Sequence, residues 1–213
     1  EIHRHDVIHH DINTKIILIE KKTRRIKLVD FSLATQLSRK HQPVVNPQMS
    51  GGTLAYMSPE QTGRMNCVID YRTDFYSLGV TLYHMLTGVL PFTAPDAMGL
   101  VHCHIAQLPE PPQERNPQVP IAISQIVLKL LAKTAAERYQ SAYGIKIDLL
   151  ECERQWLNTG RINSFPLGLQ DTSSRFLIPQ NLYGREAELV TLQAAFNRMG
   201  AGAKELVLVA GQS

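Results

Sequence analysis

The sequence predicts an α+β fold, mainly helical with one small β-hairpin, followed by the opening helix and strand of a further α/β unit. Three observations carry this. Two short apolar runs, Ile16-Ile17-Leu18-Ile19 and Ile26-Lys27-Leu28-Val29, flank the basic stretch Lys21-Lys22-Thr23-Arg24-Arg25, the pattern of an antiparallel hairpin with an exposed turn. Beyond Asp74 the apolar residues recur at helical spacing. The chain closes on an apolar run, Glu205-Leu206-Val207-Leu208-Val209, that leads into Gly211.

Taken in order, the hairpin carries Asp30 at its exit and so sets Asp11 and Asp30 at one end. Residues Phe31 to Met57 are polar and broken by Pro43, Pro47, Gly51 and Gly52, which predicts a long surface segment of the kind that usually carries function. Asp74 opens a run to Leu86 that is apolar on all sides and stops at Gly88 before Pro91, a buried central helix with a glycine end. Ile123, Ile126, Val127, Leu130 and Leu131 predict a second helix. Ala142, Ile145, Leu149, Cys152 and Trp156 predict a third, both packing on the central one. Between them the proline-rich stretch Leu108 to Pro120 reads as a rigid connection. After Trp156 the pattern lapses through Gly160, Pro166, Gly168, Asp171 and Pro179, so residues 158–181 are expected to be an interdomain linker. Glu186 starts a new helix with Leu189, Leu192, Phe196 and Met199 on one face, and the final strand follows. The domains expected are therefore 1–157, the linker 158–181, and a truncated unit over 182–213. With no initiator Met and no capping pattern at its start, the chain reads as an excised piece.

The 213 residues are 44% hydrophobic, enough for a sizeable core, and the net charge of +3 is small with its cations scattered. Neither nucleic-acid binding nor membrane binding follows from that charge. Cys67, Cys103 and Cys152 lack paired spacing, which favours a reduced, cytoplasmic compartment. No apolar run approaches the ~20 residues of a membrane span.

Chemistry concentrates in His9-His10-Asp11-Ile12-Asn13, in Asp30-Phe31-Ser32 nineteen residues after Asp11, and in Ser58-Pro59-Glu60. Two carboxylates with a strand pair between them suit phosphoryl transfer, one to take a hydroxyl proton and one to hold a phosphate-bound magnesium. His102-Cys103-His104 is a poor metal cluster, because residues two apart on a helix face away from each other. His3, His5, His9 and His10 lack a companion Cys or carboxylate pair at zinc spacing.

The ordered set resembles the C-terminal lobe of a eukaryotic-type Ser/Thr protein kinase over residues 1 to about 157. His9-His10-Asp11 resembles the catalytic loop, Asp30-Phe31-Ser32 the magnesium loop, and Gly52-Thr53-Leu54-Ala55-Tyr56-Met57-Ser58-Pro59-Glu60 the end of the activation segment. Asp74 to Val80 resembles the start of the helix that anchors the catalytic loop. Joined to Leu182-Tyr183-Gly184-Arg185-Glu186 and to a strand ending Gly211-Gln212-Ser213, the chain is similar to large bacterial signalling proteins that couple a kinase to an AAA-type ATPase with a P-loop, often continuing into sensor histidine kinase domains.

The resemblance implies ATP and Mg2+ as cofactors, a protein substrate or signalling partner, and contiguous N-lobe and ATPase domains in the parent chain. It implies that Asp11 accepts the substrate hydroxyl proton, that Asp30 binds magnesium, and that Thr53 lines the substrate pocket. It further implies that Glu60 pairs with Arg138 and that Asp74 is structural. Four positions depart from the family pattern. Ile16 stands where a metal-binding asparagine is expected and offers no oxygen. Asn13 replaces a phosphate-neutralising lysine, Ser32 a flexible glycine, and His10 an arginine that would read a phosphorylated activation segment. The glycine-rich loop and strand lysine of a kinase N-lobe are not in these residues, so the isolated chain is expected to show no kinase turnover. The alternatives are a pseudokinase serving as an interaction module and a regulatory lobe preceding an ATPase.

Overall fold

The computed structural model describes residues 1–36, 54–65, 67–172, 186–200, 204 and 206–208. The chain divides into two units, residues 1–174 and 175–213.

In the first unit, a 3-10 turn over Ile2–His5 leads into β1 (Val7–Ile8). The hairpin follows as β2 (Ile17–Ile19) and β3 (Ile26–Leu28), antiparallel with Ile17 opposite Leu28 and Ile19 opposite Ile26. Its basic turn closes through Glu20 N–H to the Arg25 carbonyl at 2.9 Å. A strand that the sequence pattern does not announce, β4 (Thr35–Gln36), pairs antiparallel with β1. Two-residue strands are too short to display a period of two, which is why they escape the pattern. β4 draws the chain after Asp30 back beside His10, in the loop that bears Asp11.

The helices are α1 (Arg72–Thr87), α2 (Ala97–Ala106), a short α3 (Pro112–Arg115) within the proline-rich stretch, α4 (Ile121–Leu130) and α5 (Ala142–Thr159). Helix α1 ends at Gly88, whose φ of 76° is the left-handed conformation a glycine C-cap supplies. The core is Ala55, Tyr56, Tyr76, Val80, Tyr83, Val127 and Leu131, bordered by Leu82, Leu86, Leu90 and Leu100. Each fully buried large side chain contributes about 1.5–3 kcal/mol. Helices α1 and α4 approach so closely that a Cβ on Gly79 would lie 2.8 Å from that of Leu130.

Two expectations are corrected in α5. Its buried face runs through Gly144, Ile145, Asp148 and Cys152, while Leu149 and Trp156 are 38% and 57% exposed. The expected stripe and the buried face share Ile145 and Cys152 and part at 148 and 149, where Asp148 takes the inward place because it is satisfied inside the protein by Tyr139 Oη at 2.5 Å and by Gly168 N–H at 2.8 Å. Nor are residues 158–172 a free linker: α5 continues to Thr159, and the chain then folds back onto the same unit, as shown below.

Of the second unit, α6 (Glu186–Gly200) is formed. Of the expected final strand, the described residues Leu206, Val207 and Leu208 lie outside any strand, with Leu206 88% exposed. A strand needs a neighbour to satisfy its N–H and C=O groups. Among the described residues, no helix is long and apolar enough to cross a membrane.

Candidate functional site

Helix α1 begins with a buried acid, and the loop after β1 is built around it. Asp74 is 1% exposed. Its Oδ2 accepts from the His9 backbone N–H at 2.9 Å, and Oδ1 from that of His10 at 2.9 Å. His3 Nε2 lies 2.8 Å from Oδ2. Bonds to an ionised acceptor are roughly twice as strong as neutral ones, so one side chain fixes the backbone of two consecutive loop residues. Gln61 holds the next peptide along: its Nε2 donates to the His10 carbonyl at 3.0 Å while its Oε1 accepts from Ser58 N–H at 2.9 Å. His10 Nε2 lies 2.7 Å from Thr35 Oγ1 on β4. Gripped this way, His10 holds a φ of 65°, a strained conformation for a non-glycine residue.

His9 brings the two carboxylates to one place. Its ring is fully buried, with Nε2 at 3.2 Å from the Val29 carbonyl and the ring centroid 4.8 Å from that of Phe31. Asp30, between Val29 and Phe31, is thus carried beside the loop bearing Asp11, and each carboxyl feels the charge of His9. Their environments differ. Burial pushes the Asp11 carboxyl above the usual carboxylate range, with the Asp30 charge adding to the rise and a hydrogen bond from Asn13 opposing it. Asp30 is exposed with φ 60°, and hydrogen bonding from Ser32 holds it below that range.

Asn13 and Ile16 define what else the site offers. Asn13 Nδ2 donates to both the Asp11 carbonyl and Asp11 Oδ1, each at 3.0 Å, and its Oδ1 accepts from Lys15 N–H at 2.9 Å. Ile16 is 5% exposed and its carbonyl accepts from Val29 N–H at 3.1 Å, so an apolar side chain is buried at the base of the hairpin and offers no oxygen. Among the described residues, no group of three His, Cys, Asp or Glu could hold a metal ion. Magnesium is commonly held through only one or two carboxylates, its remaining oxygens coming from water and phosphates, and Asp30 is the exposed carboxylate that could offer one here.

Glu60 lies apart from these groups, in a short 3-10 turn. Both its oxygens bond the Arg138 guanidinium, Nη1 at 2.6 Å and Nη2 at 2.8 Å. Burial alone would raise the Glu60 carboxyl, but the Arg138 hydrogen bonds and charge outweigh it and leave the group below its ordinary value. Thr53 lies outside the described residues.

His104, on α2, is 1% exposed, with Nδ1 at 3.0 Å from Tyr76 Oη. It is part of the core packing, edge-on to Phe92 at 5.3 Å. Burial, helped by the neighbouring Lys133 cation, pushes its pKa down to about 4 from 6.5. Between those values the unfolded chain binds a proton that the folded chain does not, so stability falls as pH falls through this window and levels off below it. The His104 contribution is expected to reach about 3 kcal/mol at most. Urea titrations between pH 7 and pH 4 measure it: His104→Gln should flatten that part of the slope, and an unchanged slope would contradict it.

Three participants give no sequence signal: Gln61, His3 and the back-bonding role of Asn13. Each acts through a partner that only the fold supplies, Gln61 and His3 across more than fifty residues. The position of Gln61 directly after Ser58-Pro59-Glu60 is the nearest thing to a clue.

A mostly helical unit whose central helix anchors one carboxylate-bearing loop, set beside a second carboxylate at a hairpin exit, is consistent with the C-terminal lobe of a protein kinase. The family model described as protein kinase domain matches residues 1–147, and the chain belongs to that family. It is 36% identical over 148 residues to the serine/threonine-protein kinase PknB of Mycolicibacterium smegmatis, covering 70% of this chain and 23% of the relative. It is 32% identical over 162 residues to the serine/threonine-protein kinase pkn3 of Myxococcus xanthus, covering 73% and 29%. The longest of these similarities is to the hybrid signal transduction histidine kinase G of Dictyostelium discoideum, 38% identical over 186 residues, covering 78% of this chain and 5% of the relative. The chain thus spans under a third of the length of each.

Proposed function

We propose that this chain is the C-terminal lobe of a serine/threonine protein kinase acting in signal transduction, in which Asp11 takes the proton from a Ser or Thr hydroxyl of a protein substrate and Asp30 holds Mg2+ against the phosphates of ATP. The observation that carries the reading is the opposed displacement of two carboxyls around one buried histidine. Environments that push a pair of acids apart assign them different tasks. The raised, partly buried Asp11 suits a proton acceptor, and the exposed, readily ionised Asp30 suits a cation. When bound, the metal would neutralise charge on the transferred phosphate. The protein's own residues set the geometry: Asp74 and Gln61 fix the loop, and Asn13 orients the Asp11 carboxylate.

The reading is completed by an N-terminal lobe with its adenine pocket and by an ATPase-type unit opened by α6, all in a cytoplasmic parent protein that also carries sensor domains. In that parent, Asp11→Asn is expected to lower phosphate transfer to a protein substrate by about 10²–10⁴-fold with nucleotide affinity retained. Transfer unaffected by the change would refute the assignment. The 213-residue chain alone is expected to show no turnover.

A pseudokinase is the second reading, and Ile16 favours it specifically, since the position where the family carries a metal-binding asparagine holds a buried apolar side chain with no oxygen. Nucleotide binding by the parent, titrated with and without Mg2+, separates the two. Magnesium-dependent tightening supports the enzyme; binding indifferent to magnesium supports the scaffold.

A further inference from the structure

The family match stops at residue 147, yet the chain stays on the first unit to the last described residue of that stretch, 172. After Gly160 ends α5 in a left-handed turn, the chain doubles back. Ser164 Oγ donates to Gln125 Oε1 on α4 at 3.0 Å, and Gly168 N–H donates to the buried Asp148 at 2.8 Å. Asp171 completes the return. Its Oδ2 accepts from Gln140 N–H at 2.6 Å, and its Oδ1 from Ser141 Oγ at 2.8 Å, the hydroxyl that caps α5 through Gly144 N–H at 3.0 Å. Only a glycine at 144 admits this approach: a Cβ there would lie 2.6 Å from the Asp171 Cβ.

Gln140 is the junction of a longer path. Its Oε1 accepts from Arg72 Nη1 at 2.7 Å, and its Nε2 donates to the Arg138 carbonyl at 2.6 Å. Arg138 in turn donates to the Arg72 carbonyl at 3.1 Å and grips Glu60. The peptide fixed by Asp171 therefore carries the side chain that fixes both Arg72 and Arg138.

We propose that residues 160–172 form a releasable strap which, through Asp171 and Gln140, holds the Glu60–Arg138 anchor of the activation segment in register. The strap has two states, docked and released. Docking fixes the 138–141 turn; release frees that turn and with it the guanidinium that holds Glu60. Because the chain passes from the strap directly into residues 175–213, whatever pulls on Asp171 from that side biases the anchor. Coupling of this kind needs one element whose equilibrium both ends share, and the turn at Gln140 is that element.

Hydrogen exchange of the 213-residue chain, read by mass spectrometry, tests this with Asp171→Ala and, independently, Gly144→Ala. The second variant displaces Asp171 sterically while giving α5 a better helix former, so it keeps the lobe folded if the first does not. Amides of Gln140 and Gly144 should exchange faster in either variant. Those of Gln61, Thr62 and Gly63 should accelerate by about fivefold or more, relative to the core amides of α1 in the same sample. Acceleration confined to residues 140 and 144, a uniform rise that includes α1, or no acceleration at all would each overturn the strap as a control of the anchor.

Discussion

Replacing Arg138 with alanine is expected to remove about 3–5 kcal/mol of folding stability, the cost of stranding one charge of a buried pair. Arg138 is 1% exposed and Glu60 5%, so water cannot replace the lost partner. The guanidinium does more than neutralise Glu60. Its Nε donates to the Ala132 carbonyl at 2.8 Å and its Nη2 to the Lys133 carbonyl at 3.0 Å, and its Cζ lies 5.0 Å from the Tyr76 ring centroid. Alanine leaves those carbonyls unpartnered as well and opens a cavity beside Tyr76. A domain of this size is stable by only about 5–15 kcal/mol, so the loss should be plain in urea denaturation and as a fall in Tm. Glu60→Gln should cost less, because the amide oxygen still accepts one of the two bonds. The double variant Glu60→Leu with Arg138→Met should recover part of the loss, since an apolar pair strands no charge. A change below about 1 kcal/mol in Arg138→Ala would mean that the pair contributes no more than an exposed one.

What was legible in the sequence divides by the range of the interaction. Long periodic segments such as α1 and α4, and the hairpin with its basic turn, are local patterns and are readable without the fold. Helix α5 was readable as a helix but not in its buried face, because Asp148 counts as polar until Tyr139 and Gly168 are seen to satisfy it. Strands β1 and β4 have two residues each and exist only through each other. Conversely, the apolar run at Leu206–Leu208 has strand composition but no partner strand among the described residues. In the site, the triplets around Asp11 and Asp30 mark the chemistry, while the residues that position it, Gln61 and His3, reach it across the chain and leave no motif. Asn13 is the instructive case. As a sequence departure it reads as a lost lysine; in the fold it is the group that holds the Asp11 carboxylate.

The second large effect is expected at Asp74. In Asp74→Ala the two backbone N–H groups of His9 and His10 lose their acceptor in a site that water does not reach, and each unsatisfied donor costs about 1–3 kcal/mol. The carboxylate also sits in the first turn of α1, where negative charge is favoured by the helix dipole, for a further ~0.3–1 kcal/mol. A total loss of roughly 2–7 kcal/mol follows, of the same order as that at Arg138 but with a different local signature. Without Asp74, the His10 N–H loses its acceptor at the head of α1, so His10 should relax from its left-handed conformation and this end of the loop bearing Asp11 should move off the helix, leaving Thr81 bonded to the Ile12 carbonyl. Exchange at the His9 and His10 amides is therefore expected to rise in Asp74→Ala beyond the general destabilisation, while the Gln61–Gly63 amides follow only the global change. Asp74→Asn keeps one accepting oxygen and should restore one of the two backbone bonds, with protection returning at either His9 or His10 but not both. If both amides stay protected in Asp74→Ala, the loop is held by Gln61 and Thr35 instead, and the anchoring role assigned to the head of α1 is wrong.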